Sequence, residues 1–273
     1  MRKRAFTLIE LLVVIAVIAV LLGILMPALK RAREQARMIA CTGNLRQWGI
    51  TFNTIASDNN GKFVEGIPGT TAYYWPWMLP TALKDWTQNK TWFCPTATKP
   101  RTPIGGMAQT IANSNIYNSW GIFTDVVSGY TAGKNGINGS YGLNGYFIPT
   151  TGAYEGNVAG SDGWGGFNGV KQASTVPLMV DALRFDLWPL PSDSPAANEG
   201  DAWTGDLMAR CCINRHRGFV CMVFADGCAR KVGLKELWTL KWYSKFNTAG
   251  PWTQAGHVSG ARWPAWIRGF SDY

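Results

Sequence analysis

The sequence predicts an α+β fold, in which one long N-terminal helix packs on an antiparallel β-sheet with long loops. The first observation is that residues 6–29 are all apolar or small except Thr7 and Glu10. The second is a pair of short apolar runs, residues 176–181 and 219–225, which are typical of buried strands. Glycine-rich stretches interrupt the second half of the chain, so the strands are predicted to be short.

The composition predicts a folded chain and gives no support for nucleic-acid binding. Charged residues are only 16% of the 273 residues and aromatic residues are 13%, so apolar side chains suffice for a sizeable core. The formal net charge of +9 falls to +6 when the three basic residues at positions 2–4 are removed with the predicted leader. The remaining basic residues are scattered, so no nucleic-acid partner is predicted.

Residues 6–29 are predicted to form a membrane-spanning helix. At about 1.5 Å per residue this run is roughly 36 Å long, which exceeds the ~30 Å hydrocarbon core of a bilayer. A secretory signal has its small-residue cleavage site after the apolar run, whereas here the small residue, Ala5, precedes it. Cleavage after Ala5 would remove the basic leader, residues 1–5, and keep the helix.

Glu10 is the one carboxylate inside the apolar run. Such a group costs about 2.5 kcal/mol or more at the bilayer centre. One interpretation is that Glu10 lies near the interface and reaches the headgroups. The other is that it pairs with a positive group in an assembly, and cleavage after Ala5 would create one, the amine of Phe6. That amine could belong to the same helix or to a neighbouring subunit.

The run from Ala5 to Leu12, Ala-Phe-Thr-Leu-Ile-Glu-Leu-Leu, resembles the N-terminal signature of type IV pilins and type II secretion pseudopilins. The resemblance implies that prepilin peptidase cuts between Ala5 and Phe6 and methylates the new amine, and that Glu10 guides docking into a helical filament. The family usually has glycine in place of Ala5. It further implies a single-pass inner-membrane protein that contacts lipid and other pilin subunits, with its large domain in the periplasm or on the cell surface. No catalytic activity is predicted.

The helix is predicted to continue as an amphipathic segment over residues 30–58. Pro27 predicts a bend near the end of the apolar run. Apolar residues then recur at spacings of three and four, which indicates one buried stripe: Met38, Cys41, Leu45, Trp48, Phe52 and Ile55. The Asp-Asn-Asn-Gly run at 58–61 predicts the end of the helix.

Residues 59–273 are predicted to form a β-rich domain outside the cytoplasm. The strand at 219–225 leads into Asp226-Gly227, which predicts a two-residue hairpin turn and a return strand at 228–232. A short amphipathic helix is predicted within 234–246, and the rings of Trp263 and Trp266 are predicted to pack back on the sheet. The glycine-rich stretches 133–144 and 156–169 are predicted to be loops.

Several later pieces resemble a pilin-like subfamily of planctomycete-type and related bacteria. They are the Cys-Thr-Gly-Asn-Leu-Arg-Gln run at 41–47, Phe-Cys-Pro at 93–95, Ser-Tyr-Gly-Leu-Asn at 140–144, and His216 followed ten residues on by Asp226. The chain departs from this subfamily at Cys228, where histidine is usual after Asp-Gly.

The six cysteines favour disulfides on an exported chain. Cys41 and Cys94 are predicted to clamp the helix to the sheet. The hairpin geometry excludes a bond between Cys221 and Cys228, so Cys211 or Cys212 is predicted to face Cys221. Two alternatives remain open, a zinc site that uses His216 with three cysteines, and free buried thiols.

Other sites are weakly supported by the sequence. His216 and Asp226 are candidate metal ligands. Seven aspartates could offer oxygens to calcium although no EF-hand pattern occurs: Asp162, Asp181, Asp186, Asp193, Asp201, Asp206 and Asp226. No cofactor is predicted. Four tryptophans are predicted to fill a core or an interface rather than to stack on sugars: Trp75, Trp77, Trp120 and Trp164. The alternative function is a membrane-anchored surface protein that binds carbohydrate or acts as an adhesin.

Overall fold

The structure is a computed structural model that describes residues 8–62, 75–97, 115–120, 122–124, 135–150, 152–199 and 206–272. The chain divides into two compact units, Met1–Arg37 and Met38–Tyr273. Helix α1, Leu8–Asp58, begins in the first unit and ends in the second.

In the first unit, helix α1 presents apolar side chains to solvent. The large apolar residues between Leu8 and Leu29 are each about half exposed or more. By length and composition this helix could cross a membrane. Pro27 lies inside the helix, and the bend at this position stays a prediction.

In the second unit, helix α1 buries one stripe of side chains. Its buried residues are Cys41, Leu45, Trp48, Gly49, Phe52 and Ala56, and Met38 and Ile55 are partly buried against the same core. The stripe predicted from the spacing of three and four is therefore the packing face. The helix ends at Asp58, after which Asn60 and Gly61 adopt left-handed φ angles of 55° and 77°.

The sheet has five strands in the order β3-β1-β2-β4-β5. They are β1 Tyr141–Asn144, β2 Pro177–Asp181, β3 Asp186–Leu187, β4 Phe219–Phe224 and β5 Ala229–Gly233. The long helix packed on a sheet confirms the predicted α+β class. The antiparallel prediction is wrong for one pair, because β1 and β3 run parallel. After β2 the chain reverses over residues 182–185 and returns on the far side of β1.

Strand β1 lies in a stretch that was predicted to be a loop because of its glycines. Gly142 is needed there, since a Cβ atom at this position would lie 2.6 Å from the carbonyl oxygen of Arg184. The glycine thus lets the connection between β2 and β3 pass close to β1. The glycines predicted a loop where the structure has a strand with close backbone approach.

The hairpin between β4 and β5 has a three-residue loop rather than the predicted two-residue turn. Phe224 pairs with Cys228 through the Phe224 N–H, which donates to the Cys228 carbonyl at 2.9 Å. Gly227 adopts a φ of 80°, which fits a turn followed by a left-handed residue. Cys228 is exposed and Cys221 pairs with Lys231 across the ladder, so the exclusion of a Cys221–Cys228 bond agrees with the observed register.

The remaining helices are short. They are α2 Trp75–Met78, α3 Thr81–Lys84 and α4 Ala265–Arg268, with 3₁₀ turns at Lys90–Trp92, Gly145–Phe147, Gly160–Asp162, Ala173–Thr175, Leu207–Arg210, Lys235–Thr239 and Gly260–Arg262. The amphipathic helix predicted within 234–246 is only the 3₁₀ turn Lys235–Thr239. The indoles of Trp238 and Trp242, both fully buried, donate to the carbonyls of Asp193 and Leu237, so tertiary contacts fix this segment.

Tryptophan rings fill the core beside helix α1. The rings of Trp75 and Trp92 stack at 5.6 Å, and Trp120 packs edge-on against both. Trp75 and Trp120 are almost fully buried, so they are core residues and do not form a sugar-stacking surface. Trp164 is half-buried and donates to the Trp242 carbonyl, and the side chain of Trp77 lies outside the described residues.

The C-terminal segment packs on other tryptophans rather than directly on the sheet. The ring centroid of Trp263 lies 5.4 Å from that of Trp238 and 5.2 Å from that of Trp252. Trp266 is partly buried and donates to the Ala196 carbonyl. The tail folds back on the domain, but the observed ring contacts of Trp263 are with tryptophans outside the sheet rather than with the sheet that the prediction named.

Strands β3 and β5 are the edges of the sheet. Strand β3 has two residues only. Strand β5 carries Arg230 and Lys231, whose charged groups lie 4.6 Å from the ring centroids of Phe224 and Phe219 on β4.

Gly49 marks the closest approach of helix α1 to strand β4, and substitution there should destabilise the domain. A Cβ atom at Gly49 would lie 2.7 Å from Cγ2 of Val223, a stiff side chain. We expect Gly49→Ala to lower the free energy of unfolding by about 1–3 kcal/mol through overpacking. The measurement is urea unfolding of the full chain in detergent micelles, followed by tryptophan fluorescence.

Gly43 on the same helix provides the matched control. It is exposed, and no atom lies within 4 Å of a Cβ built there. Gly43→Ala should stabilise the helix by up to about 1 kcal/mol. Equal stabilisation by both substitutions would contradict the close approach at Gly49.

Candidate functional site

Two regions of the chain carry candidate functional residues. The first is the N-terminal segment, in which Glu10 lies exposed in the first turn of helix α1. Ala5 and Phe6, the predicted cleavage and methylation residues, lie outside the described residues. The second is a buried cluster of polar side chains in the second unit, where sulfur, nitrogen and oxygen atoms converge.

The buried cluster is built from Cys41, Cys94, Asp181 and His216. One donor atom from each side chain lies within 4.8 Å of the others, and all four residues are buried. Cys41 lies on the buried stripe of helix α1, and Asp181 is the last residue of β2. Cys94 and His216 come from connecting segments. Four separate parts of the chain therefore meet at this point.

Helix α1 positions the segment that carries Cys94. The Asn44 side chain donates to the Phe93 carbonyl at 2.9 Å, and the Trp48 indole donates to the Thr91 carbonyl at 2.8 Å. The backbone N–H of Cys94 donates to Oγ of Ser140 at 2.6 Å, next to β1. These bonds hold the thiol over the end of the sheet.

A tight turn positions His216. The two residues that follow it, Arg217 and Gly218, adopt φ angles of 53° and 88°. The Asn214 side-chain oxygen closes this turn by accepting from the Gly218 N–H at 2.6 Å. Nε2 of His216 then lies 3.3 Å from the Cys94 sulfur and 3.2 Å from Oδ2 of Asp181.

Asp181 is the centre of the cluster and is fully buried. Its Oδ2 accepts from the Cys41 thiol at 3.2 Å and from the Cys221 backbone N–H at 3.1 Å. Its Oδ1 lies 3.3 Å from Nη1 of Arg215, which is also fully buried. The Arg215 guanidinium is held in turn by backbone carbonyls, those of Ile116, Asn118, Ser140 and Ala182.

Two further groups border the cluster. The Tyr141 hydroxyl donates to the Cys41 sulfur at 3.4 Å. The Cys221 thiol lies on the helix-facing side of β4, 3.5 Å from the Met38 carbonyl and 3.4 Å from the Thr42 hydroxyl. A third thiol is thus adjacent to the two thiols of the cluster.

The cluster is an electrostatically coupled site. Burial raises the pKa of Asp181, but the hydrogen bond and charge of His216 and the charge of Arg215 lower that pKa to about 2. Burial lowers the pKa of His216, but hydrogen bonds to Asp181 and to the neighbouring thiols raise it to about 12. Burial raises the pKa of Cys94, whereas hydrogen bonds with Cys41 and His216 lower it to about 6. The direction of each pKa shift favours the charged form of its group, so the three groups stabilise one another electrostatically.

The structure forms none of the predicted disulfides, because all six cysteines are free thiols. Cys41 and Cys94, the predicted clamp, lie together but also contact Asp181 and His216. Cys221 lies beside Cys41 rather than beside Cys211 or Cys212, since the residues before β4 form a 3₁₀ turn and a loop instead of a pairing strand.

The predicted metal-binding residues are brought together only in part. His216 is in the cluster, and of the cysteines predicted with it only Cys221 lies beside it; its other neighbours are Cys94 and Asp181. Cys211 and Cys212 are buried elsewhere, with the Cys211 sulfur 3.4 Å from the Met208 carbonyl. Asp226 is exposed in the hairpin loop, where it accepts from the Cys228 N–H.

The carboxylates considered for calcium are engaged in other contacts where the structure describes them. Asp186 pairs with Arg184, Asp193 accepts from the N–H groups of Leu190 and Met208, and Asp206 accepts from Ser194. Sequence reasoning named Asp181 among the aspartates that could bind calcium but did not place it with the thiols and His216, and it missed Arg215 and Tyr141. The available signals were an aspartate at the end of an apolar strand and an arginine next to the histidine.

Comparison with known proteins bears on the N-terminal segment. Residues 1–26 match the family described as the prokaryotic N-terminal methylation motif. Neither the curated proteins nor the solved structures include a significant match to the chain.

The matched motif supports a type IV pilin-like protein that is a substrate of prepilin peptidase and assembles with pilin subunits in general. Proteins with this motif are structural rather than catalytic. The apolar helix near the N-terminus is consistent with a membrane-anchored, single-pass protein.

Removal of the Asp181 side chain should destabilise the domain strongly. Asp181→Ala leaves the buried guanidinium of Arg215 without its carboxylate, and breaking a buried ion pair costs about 3–5 kcal/mol. The free energy of unfolding, measured in urea by tryptophan fluorescence on the full chain, should fall by that amount. All 14 tryptophans lie beyond residue 47, so this signal reports on the second unit.

Asp226→Ala is the control for this substitution. Asp226 is exposed and its carboxylate makes a local hydrogen bond to the Cys228 N–H, so its removal should cost about 1 kcal/mol or less. Equal losses of stability for the two variants would show that the Asp181 contacts do not hold the domain together.

Proposed function

We propose that this chain is a structural subunit, a pilin or pseudopilin, of a type IV pilus-like or type II secretion filament. The methylation motif at residues 1–26 carries the proposal. According to this proposal, prepilin peptidase cuts between Ala5 and Phe6 and methylates the Phe6 amine. The chain is a substrate of that enzyme and performs no reaction itself.

The exposed apolar surface of the first unit supports this function. Large apolar side chains are exposed along this part of the helix. An apolar surface of this kind is unusual in a soluble protein and marks contact with lipid or with another protein. Before assembly this surface would lie in the inner membrane. After assembly it would pack against the same segment of other subunits, in a homo- or hetero-polymer.

Glu10 gives the assembly a specific register. Its carboxylate stands four positions after Phe6, whose new amine would be positive. A carboxylate in an apolar environment is stable only when a positive group compensates it. In the filament, Glu10 of one subunit would pair with the amine of the next and fix the axial stagger. The second unit would lie on the periplasmic or outer side.

A second candidate function is a membrane-anchored surface binder for carbohydrate. It is favoured by a groove of about 660 Å³ beside helix α1, lined by residues that include Trp86, Lys90, Phe93 and Asn138. The rings of Trp86 and Phe93 meet edge to face at 5.8 Å and are both partly exposed. Such rings can stack on sugar faces.

The maturation step is tested by mass spectrometry of the chain recovered from cells that contain prepilin peptidase. We expect a mature chain that starts at Phe6 and carries one added methyl group on its amine. A chain that still starts at Met1 in such cells would contradict the proposal.

The assembly step is tested by Glu10→Ala. We expect incorporation into sheared filaments to fall at least about tenfold, because the pairing of Glu10 with the amine of the next subunit is lost. A tenfold change corresponds to about 1.4 kcal/mol. Membrane insertion should be retained. Glu34→Ala, a glutamate of the same helix beyond the apolar run, is the matched control and should incorporate normally. Normal incorporation of Glu10→Ala would refute the role of Glu10. The second candidate function would be supported if the chain does not polymerise but binds sugar, and if Trp86→Ala abolishes that sugar binding.

A further inference from the structure

The buried cluster has the donor set and the spacing of a metal site. In a tetrahedral zinc site, Zn–S distances of about 2.3 Å and Zn–N or Zn–O distances of about 2.0–2.2 Å place the ligand atoms roughly 3.3–3.8 Å apart. The Cys41 sulfur lies 3.2 Å from Asp181 Oδ2, and the Cys94 sulfur lies 3.3 Å from His216 Nε2. His216 Nε2 lies 3.2 Å from Asp181 Oδ2. These three pairs are at or slightly below the tetrahedral range and the remaining pairs lie within 4.8 Å, so small shifts of the side chains would place all four ligand atoms around one ion.

Hydrophobic packing alone does not account for this cluster. Two thiols, a carboxylate, an imidazole, a guanidinium and a phenol are all buried at one place. Burial of such groups is costly unless they are paired or coordinate a metal. The four donors come from four segments of the chain, so a shared ion would hold these segments together.

The charges around the cluster balance for one divalent cation. A zinc ion with two thiolates, one carboxylate, one neutral imidazole and the adjacent guanidinium of Arg215 gives a net charge of zero. A third thiolate, from Cys221, would leave an uncompensated negative charge in a buried site. Cys221 therefore remains a neighbouring thiol, and its backbone N–H orients Asp181.

We propose that Cys41, Cys94, Asp181 and His216 form a tetrahedral zinc site that ties helix α1 to the sheet. Two sulfurs and one imidazole favour zinc over the hard cations calcium and magnesium, which prefer oxygen ligands. Arg215 and the Cys221 backbone act on the carboxylate from outside the ligand set and hold it in place. The protein supplies all four ligands and leaves no open coordination position, as in structural zinc sites.

Zinc binding must release protons for the charges to balance. Each sulfur that coordinates as a thiolate gives up its proton to solvent, and His216 coordinates as a neutral ring. Zinc therefore replaces the protons of its ligands, with no change in oxidation state.

The first test is the metal content of the full chain in detergent micelles, purified without chelator and with a thiol reductant. We expect about one zinc per chain by elemental analysis. Exchange for Co²⁺ should give the visible ligand-field bands and the sulfur-to-cobalt charge-transfer band of a tetrahedral thiolate site. Calorimetry in two buffers should show that protons are released when zinc binds.

Variants identify the ligands. Cys94→Ser and His216→Ala should weaken zinc binding by at least about 100-fold, and Cys94→His should keep the cobalt site with a weaker charge-transfer band. Cys212→Ser, a buried cysteine outside the cluster, should bind zinc as the unmodified chain does. Excess zinc should raise the melting temperature of the unmodified chain but not that of His216→Ala.

Several results would overturn this site. They are a folded, reduced chain that binds no zinc or cobalt, a cobalt spectrum without thiolate bands, or a Cys41–Cys94 disulfide in the chain trapped from cells with a thiol-alkylating reagent. Because the metal content and the spectrum are measured on the unmodified chain, the test stands even if a variant fails to fold. None of these results depends on filament assembly, so a failure here leaves the filament proposal intact.

Discussion

The buried carboxylate of Asp181 is the interaction on which the second unit depends. This carboxylate forms an ion pair with Arg215. It also accepts hydrogen bonds from the Cys221 backbone N–H on β4 and from the Cys41 thiol on helix α1. A charge inside a protein is tolerated only when its partners are in place. Helix, strands and connecting loops must therefore reach their native positions together, and the long helix is fastened to the sheet by polar contacts as well as by apolar packing.

Sequence periodicity predicted those elements of the fold that have a simple environment. The apolar run at 6–29 and the stripe at spacings of three and four gave helix α1, and β2 and β4 are continuous apolar runs. Strand β1 could not be predicted, since two of its four residues are glycine and asparagine. Gly142 is required because the backbone of Arg184 lies too close to leave room for a Cβ atom. This contact depends on the tertiary structure and is not visible in the local sequence. The parallel pairing of β3 has the same origin.

The candidate sites differ in how far the sequence reveals them. Ala5, Phe6 and Glu10 stand within six positions, so a local motif carries them. The buried cluster joins Cys41 to Asp181 over 140 positions and Cys94 to His216 over 122. Each is an ordinary buried residue in its own segment, and only the folded chain shows that their donor atoms converge. The cysteine count suggested pairing, but it did not indicate that a carboxylate and an arginine accompany the thiols.

In the part of the chain that the structure describes, the two edge strands of the sheet affect how copies of the domain can meet. An open strand is a template on which another copy can add by backbone hydrogen bonding. Strand β3 is too short to serve as one, and β5 carries Arg230 and Lys231, whose like charges would face those of a second β5. These features disfavour edge-to-edge pairing of β-strands between copies of the domain, as in an amyloid-like ladder. Copies would therefore contact one another through other surfaces.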